Sequence, residues 1–271
     1  MATLTCSDGT LLHYQEEGEG APLLFIHGWC MSSRVWHFQR QLAKRYRLIT
    51  WDLRGHGRST LASPVFSFAD FAADLQHLVE ALDLRDLTLI GWSMGGEVAL
   101  SAVPLLVKRL SALVLLDSTA HFTSTDGYPW GVPPVQVRAM SLRICRDYLA
   151  TLAAFSRSFF VDGELTFDQQ QAIESRIVRA SRLPEHSTAL SALESMAAAD
   201  IRPQLSQVRV PTLVIHGEED PICPVGAGRF LAQQIEGAQL AIYPGAGHAP
   251  FMSNPQRIND ELDHFLRGKV S

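Results

Sequence analysis

Hydrophobic and polar positions follow two rhythms along the chain. The short runs "TLTC" and "TLLHYQEE" flank Ser7-Asp8-Gly9, a turn signal that predicts a hairpin. "PLLFIHG", starting at Pro22, is a continuous apolar run, the pattern of a strand covered on both faces. Val35 to Tyr46 has helical spacing, "YRLITWD" reads as the next strand, and "LRGHGRS" as a Gly-rich loop. Phe68, Phe71, Ala72, Leu75, Leu78, Val79 and Leu82 recur at intervals of three and four and predict an amphipathic helix. A strand over Leu87–Ile90, a helix from about Gly95 to Val107 and the strand "LSALVLLD" follow.

From Ser118 to about Asp200 no buried-strand run appears, Pro129, Pro133 and Pro134 break the start, and the remainder is helical in composition. Alternation resumes with "VPTLVIHG", a helix from Val225 to Ile235, the strand "AQLAIYP" and a last helix from about Pro255 to Arg267. The expected organisation is an α/β core in two parts, 1–117 and 201–271, with a helical insertion at 118–200. Repeated strand–helix units imply a mostly parallel sheet covered on both faces, with active sites at the carboxyl ends of its strands.

Bulk numbers narrow the partners. The chain has 271 residues, 46% hydrophobic and 19% charged, and a net charge of −5. That suits one large soluble domain without a general nucleic-acid footprint. No apolar run is long enough to span a membrane, and the first twenty residues do not read as a signal peptide. Cys6, Cys30, Cys145 and Cys223 lack CxxC spacing. Neither a disulfide framework nor a zinc site is expected, each cysteine reads as a small buried apolar residue, and the cytoplasm is the expected compartment.

The chemistry concentrates at strand ends. Gly91, Ser93 and Gly95 meet G-x-S-x-G after a predicted strand and before a predicted helix, the context that makes the serine a nucleophile candidate on a sharp turn. Its hydroxyl needs a base, and His248 in "YPGAGHAPF" follows a strand-like run. His27, His56, His121 and His216 are the alternatives. The histidine needs a carboxylate, for which Asp220 in "IHGEEDPICP" is preferred and Asp117 is the rival. Backbone N–H groups of Met94 and Trp29 are the expected oxyanion donors, and the Trp29 indole is expected to line the acyl pocket. Asp52, Arg54, His56 and Arg58 read as loop architecture.

These residues resemble the α/β-hydrolase fold family: "FIHGW", "WDLRGHGRS", "GWSMGG", "GEEDPICP" and "GHAPF" occur in the family's order across almost the whole chain. "LLFIHGWCMSSRVW", "STAHFTSTDGYPWGVPP" and "GHAPFMSNP" further resemble the pimeloyl-acyl-carrier-protein methyl ester esterases of biotin synthesis. That resemblance implies a carboxylesterase releasing methanol from a carrier-bound acyl chain, with Ser93, Asp220 and His248 as nucleophile, acid and base. It implies substrate contacts at Trp29, Ser93, Met94 and His248, and at Phe155, Ser156, Arg157, Ser158 and Phe159 of the insertion. No cofactor or metal is expected, the partner is an acyl-carrier protein, and a monomer is expected.

Arg138, Arg143, Arg146, Arg157, Arg176, Arg179 and Arg182 lie in the insertion, and Arg176 and Arg179 are spaced to share a helix face. Other readings on the same scaffold are a broad short-chain esterase, a C–C bond hydrolase and a non-catalytic ligand receptor. Dehalogenases and epoxide hydrolases of this fold use an aspartate nucleophile, and position 93 is serine.

Overall fold

A computed structural model describes residues 2–268. Its sheet has eight strands: β1 (Ala2–Thr5), β2 (Leu11–Glu17), β3 (Pro22–Ile26), β4 (Arg47–Trp51), β5 (Leu87–Trp92), β6 (Leu110–Leu116), β7 (Thr212–Gly217) and β8 (Gln239–Tyr243). They lie in the order β1-β2-β4-β3-β5-β6-β7-β8. β1 and β2 pair antiparallel and β2 pairs antiparallel with β4, while every other pairing is parallel. The carboxyl ends of β3, β5, β6, β7 and β8 therefore open on one edge.

The central strands are continuous apolar runs because both faces are covered. Leu24 and Ile26 of β3 point into one core layer with Leu89, Leu113 and Val214. Leu23 and Phe25 point into the other with Ile90, Val114 and Ile215. This is the two-residue alternation of a strand, here apolar on both sides. The first layer is closed by α1 (Phe68–Ala81) and α2 (Met94–Leu106). The Asp70 carboxylate accepts the Ser67 N–H at 2.6 Å, which satisfies a donor at the start of α1.

The segment predicted as a helix over Val35–Tyr46 is a 3₁₀ helix over Ser33–Lys44. Ser33, Trp36, Gln39 and Leu42 are all buried, and their strict interval of three suits three residues per turn. β5 runs two residues past its predicted end at Ile90. Between β6 and β7 the described residues form α3 (Pro134–Arg146), α4 (Tyr148–Arg157), α5 (Phe167–Ile173), a π turn over Glu174–Val178, and α6 (His186–Ala198). A short 3₁₀ turn, Arg202–Gln207, leads into β7. Then come α7 (Val225–Gln234), α8 (Pro250–Ser253), a single turn that periodicity does not reveal, and α9 (Pro255–Gly268). No described helix is long and apolar enough to cross a membrane. The cysteines correct one expectation: Cys6, Cys30 and Cys223 are buried, but Cys145 is exposed on α3. Cys6 also donates to Asp74 Oδ1 at 3.3 Å, so it is not simply an apolar filler.

Candidate active site

Ser93 joins β5 directly to α2 with φ 55° and ψ −125°, a left-handed backbone that a side-chain-bearing residue rarely adopts. The turn fits because its neighbours are small. A Cβ on Gly95 would meet the carbonyls of Ile26 and His27, and one on Gly28 would stand 3.2 Å from Ser93 Cβ. The β3 loop thus lies against Ser93, and Trp29 is the next residue after that contact. Met94 is the first residue of α2, where N–H groups have no partner within the helix.

His248, in the loop after β8, is fully buried. Its Nδ1–H donates to Asp220 Oδ2 at 2.7 Å. The other oxygen of Asp220 accepts the N–H groups of Ile222 and Cys223 at 2.8 and 2.9 Å. His248 Nε2 is buried and has no hydrogen-bond partner, so no hydrogen bond joins it to Ser93. The main chain of His248 is held at both ends: its N–H donates to Phe159 O at 2.7 Å, and its carbonyl accepts the Trp92 indole N–H at 2.8 Å. The imidazole packs between the Trp92 and Phe159 rings, with centroids 5.4 and 5.8 Å away.

Asp117 follows another course. Its Oδ1 accepts the Gly217 N–H at 2.7 Å and its Oδ2 is buried without a partner. Burial, then the nearby Asp220 charge, pushes its carboxyl well above the ordinary range. The alternative histidines all meet main-chain carbonyls. His27 Nδ1 meets Gly28 O, His56 Nδ1 meets Arg54 O, His121 Nδ1 meets Ala199 O and His216 Nε2 meets Cys223 O, at 2.7 to 2.9 Å. Asp52 takes N–H groups from Ser33 and Arg58, and Arg54 grips Asp74 with two bonds of 2.6 Å.

Asp220 comes within ligand reach of Cys223 and His248, and also of Asp117 and His216. Asp220 Oδ2 already accepts the His248 N–H, so a metal ion on that oxygen would compete with the bond that orients the imidazole.

The stretch Phe155–Phe159 divides. Phe155 meets Trp29 and Phe159 edge-on, each with centroids 5.0 Å apart. The hydroxyls of Ser156 and Ser158 turn back to the carbonyls of Ala153 and Phe155, and Arg157 is exposed, so the charged residue stands outside this aromatic cluster. The Trp29 indole is also more constrained than expected, since its N–H donates to Ala189 O at 3.0 Å. An apolar cavity of about 210 Å³ lies on one side, lined by Cys30, Met31, Leu152, Phe159 and Ile177 among others. Another of about 280 Å³ is lined by Phe122, Val132, Met140, Phe155 and Ile222.

Arg176 and Arg179 do not share a face. The π turn changes the residues per turn; Arg176 meets His37 Nε2 at 3.1 Å and Arg179 pairs with Glu174 at 3.0 Å. Two supporting residues had no sequence signal. Glu164 accepts the N–H of Gly247, beside the histidine, at 2.9 Å. Glu97, in the first turn of α2, is fully buried with both carboxyl oxygens unpartnered, and burial raises its pKa well above the ordinary value.

A family model described as alpha/beta hydrolase fold matches residues 21–255. The chain is 33% identical over 256 residues to the pimeloyl-[acyl-carrier protein] methyl ester esterase of Nitrosomonas europaea, covering 91% of this chain and 96% of that one. It is 31% identical to the non-heme chloroperoxidase CPO-A1 of Kitasatospora aureofaciens, covering 98% of this chain and 99% of the other. Among solved structures, an esterase from Exiguobacterium antarcticum matches with a TM-score of 0.90 at 26% identity over 98% of each chain.

Proposed function

Because the chain belongs to the α/β hydrolase fold family, we propose that it is a serine carboxylesterase with Ser93 as nucleophile, His248 as base and Asp220 as acid. The observation that carries this reading is the Asp220–His248 bond on the same sheet edge as the strained Ser93 turn. Asp220 keeps the proton on Nδ1, which leaves Nε2 as the basic lone pair. Ser93 Oγ attacks the ester carbonyl carbon as Nε2 takes its proton, and the carbonyl π electrons move to oxygen. The N–H groups of Met94 and Trp29 receive that oxyanion. Collapse of the tetrahedral intermediate breaks the bond to the alcohol oxygen, which leaves with the proton from Nε2. Water, deprotonated by the same nitrogen, then attacks the acyl-enzyme and frees Ser93 and the acid.

The substrate proposed is the methyl ester of a pimeloyl chain on acyl-carrier protein, with methanol released and no cofactor required. The likeness to the Nitrosomonas esterase over nearly the full length of both chains supports it. The apolar walls of the two cavities suit an aliphatic chain, and Phe155 and Phe159 are the contacts of the Phe155–Phe159 stretch best placed to touch it. In this reading the helices between β6 and β7 form the cover of the site. The test is methanol release from pimeloyl-carrier-protein methyl ester, with Ser93→Ala as control. Turnover of simple short-chain esters without turnover of the carrier-bound ester would replace the substrate by a broad ester class and keep the mechanism.

A further inference from the structure

A second cleft, of about 260 Å³, lies away from Ser93, between the 3₁₀ helix Ser33–Lys44 and strands β2 and β4. Four arginines line it: Arg34, Arg40, Arg58 and Arg176. Glu17 is the one carboxylate among its lining residues, and it is already paired with Arg40. Arg34 makes no ion pair among the described residues. Arg176 is hydrogen-bonded to His37, an imidazole that burial and then Arg176, Arg40 and Arg34 hold in its neutral form. The chain as a whole is acidic, with a net charge of −5, so this concentration of cations is local.

Gathering guanidinium groups around a recess costs Coulomb energy that a bound anion recovers. Guanidinium forks match the oxygens of a phosphoryl group, and two or more of them suit a group carrying more than one negative charge. The volume falls just under the range of about 300–1,000 Å³ for drug-sized ligands, so the recess fits a phosphoryl group and a few atoms rather than a helix or peptide strand. The cleft and the apolar cavity are lined by residues close together in the chain. Ser33 lines the first and Met31 the second, and along the π turn Arg176 lines the first while Ile177 and Val178 line the second.

We propose that this cleft is a phosphoryl-binding site whose ligand carries the phosphate at the end of an apolar chain, with the phosphate among Arg34, Arg58 and Arg176 and the chain in the neighbouring cavity. The site is read by binding alone, so it stands or falls independently of ester hydrolysis.

Calorimetric titration of the full chain with octyl phosphate, octanol and inorganic phosphate tests it. Octyl phosphate is expected to bind at least about tenfold more tightly than octanol, a difference near 1.4 kcal/mol. That advantage disappears in the Arg34→Gln, Arg176→Gln double variant and survives in Arg209→Gln, whose arginine pairs with Glu236 elsewhere on the surface. Thermal melting confirms that the variants fold. Inorganic phosphate binding as tightly as octyl phosphate keeps the arginine site but overturns the seat for an apolar chain. Equal affinities for octyl phosphate and octanol, or an advantage that survives loss of both arginines, overturns the proposal. Binding of an acidic protein without any preference for octyl phosphate overturns it as well.

Discussion

Asp117 and Asp220 serve the same loop from opposite ends: Asp117 accepts the N–H of Gly217 at 2.7 Å, and three residues later Asp220 accepts Nδ1–H of His248 at the same distance. Only Asp220 touches the imidazole. Asp220→Asn is expected to lower kcat by about 10⁴, because the amide favours the wrong tautomer. Asp117→Asn keeps an oxygen for Gly217 and is expected to retain most of the turnover. Steady-state kinetics on a p-nitrophenyl ester compares the two, and a reversed order would transfer the acid's role to Asp117.

Glu97 gives a pH signature. Burial holds its carboxyl well above the ordinary 4.5, so the folded protein keeps the proton at pH values where the unfolded chain has begun to lose it. Below 4.5 the folded and unfolded chains are both protonated and nothing changes. As pH rises above 4.5 the unfolded chain releases the proton first, and the contribution of this residue to stability falls. Glu97→Gln removes that dependence. Its unfolding free energy relative to wild type is therefore expected to improve as pH rises above 4.5, by up to about 1.4 kcal/mol per pH unit. Urea titrations at several pH values measure the trend, and a flat difference refutes it.

At Gly95 the turn that carries Ser93 has no room for a side chain. A Cβ there would press on the carbonyls of Ile26 and His27, pushing the β3 loop away from Ser93. Gly95→Ala is expected to cost about 1–3 kcal/mol through overpacking and to depress kcat more than KM. Chemical denaturation with parallel kinetics checks both, and a variant with wild-type kcat would show that the loop has room to yield.

Phe155 is the residue at which a chain-length preference is tested. It leans on Trp29 and lines one cavity, while Phe159, against it, lines the other. Phe155→Ala is expected to join the two spaces and raise kcat/KM for hexanoate relative to butyrate methyl esters by about tenfold, since the two further methylenes contribute about 0.8 kcal/mol each when buried. An unchanged ratio would place the acyl chain elsewhere.

The sheet is legible in the sequence because its central strands are apolar without alternation. The loops carrying Ser93 and Asp220 are legible because each follows such a run, that of His248 because it follows the edge strand β8, and parallel pairing takes all three to one edge. Main-chain partnerships are not legible. Nothing in the identity of residue 159 announces that its carbonyl will receive the N–H of His248, or that the Trp92 indole will take the carbonyl. The π turn is hidden for a related reason: an i→i+5 step changes backbone winding without a distinctive composition, so Arg176 and Arg179 part company. The 3₁₀ helix was recoverable in principle from the three-residue interval of Ser33, Trp36, Gln39 and Leu42.

The bond between His248 and Phe159 limits how a substrate enters. Swinging the covering helices aside as a rigid flap would break that bond or drag the imidazole off Asp220, so the doorway cannot be the whole cover. The Phe155 ring packs on the Trp29 ring, so a rotation of that side chain would shift the contact without moving either main chain. In the proposed mechanism, admission and proton transfer would then fall to different moving parts, with His248 kept on Asp220 while a side chain yields.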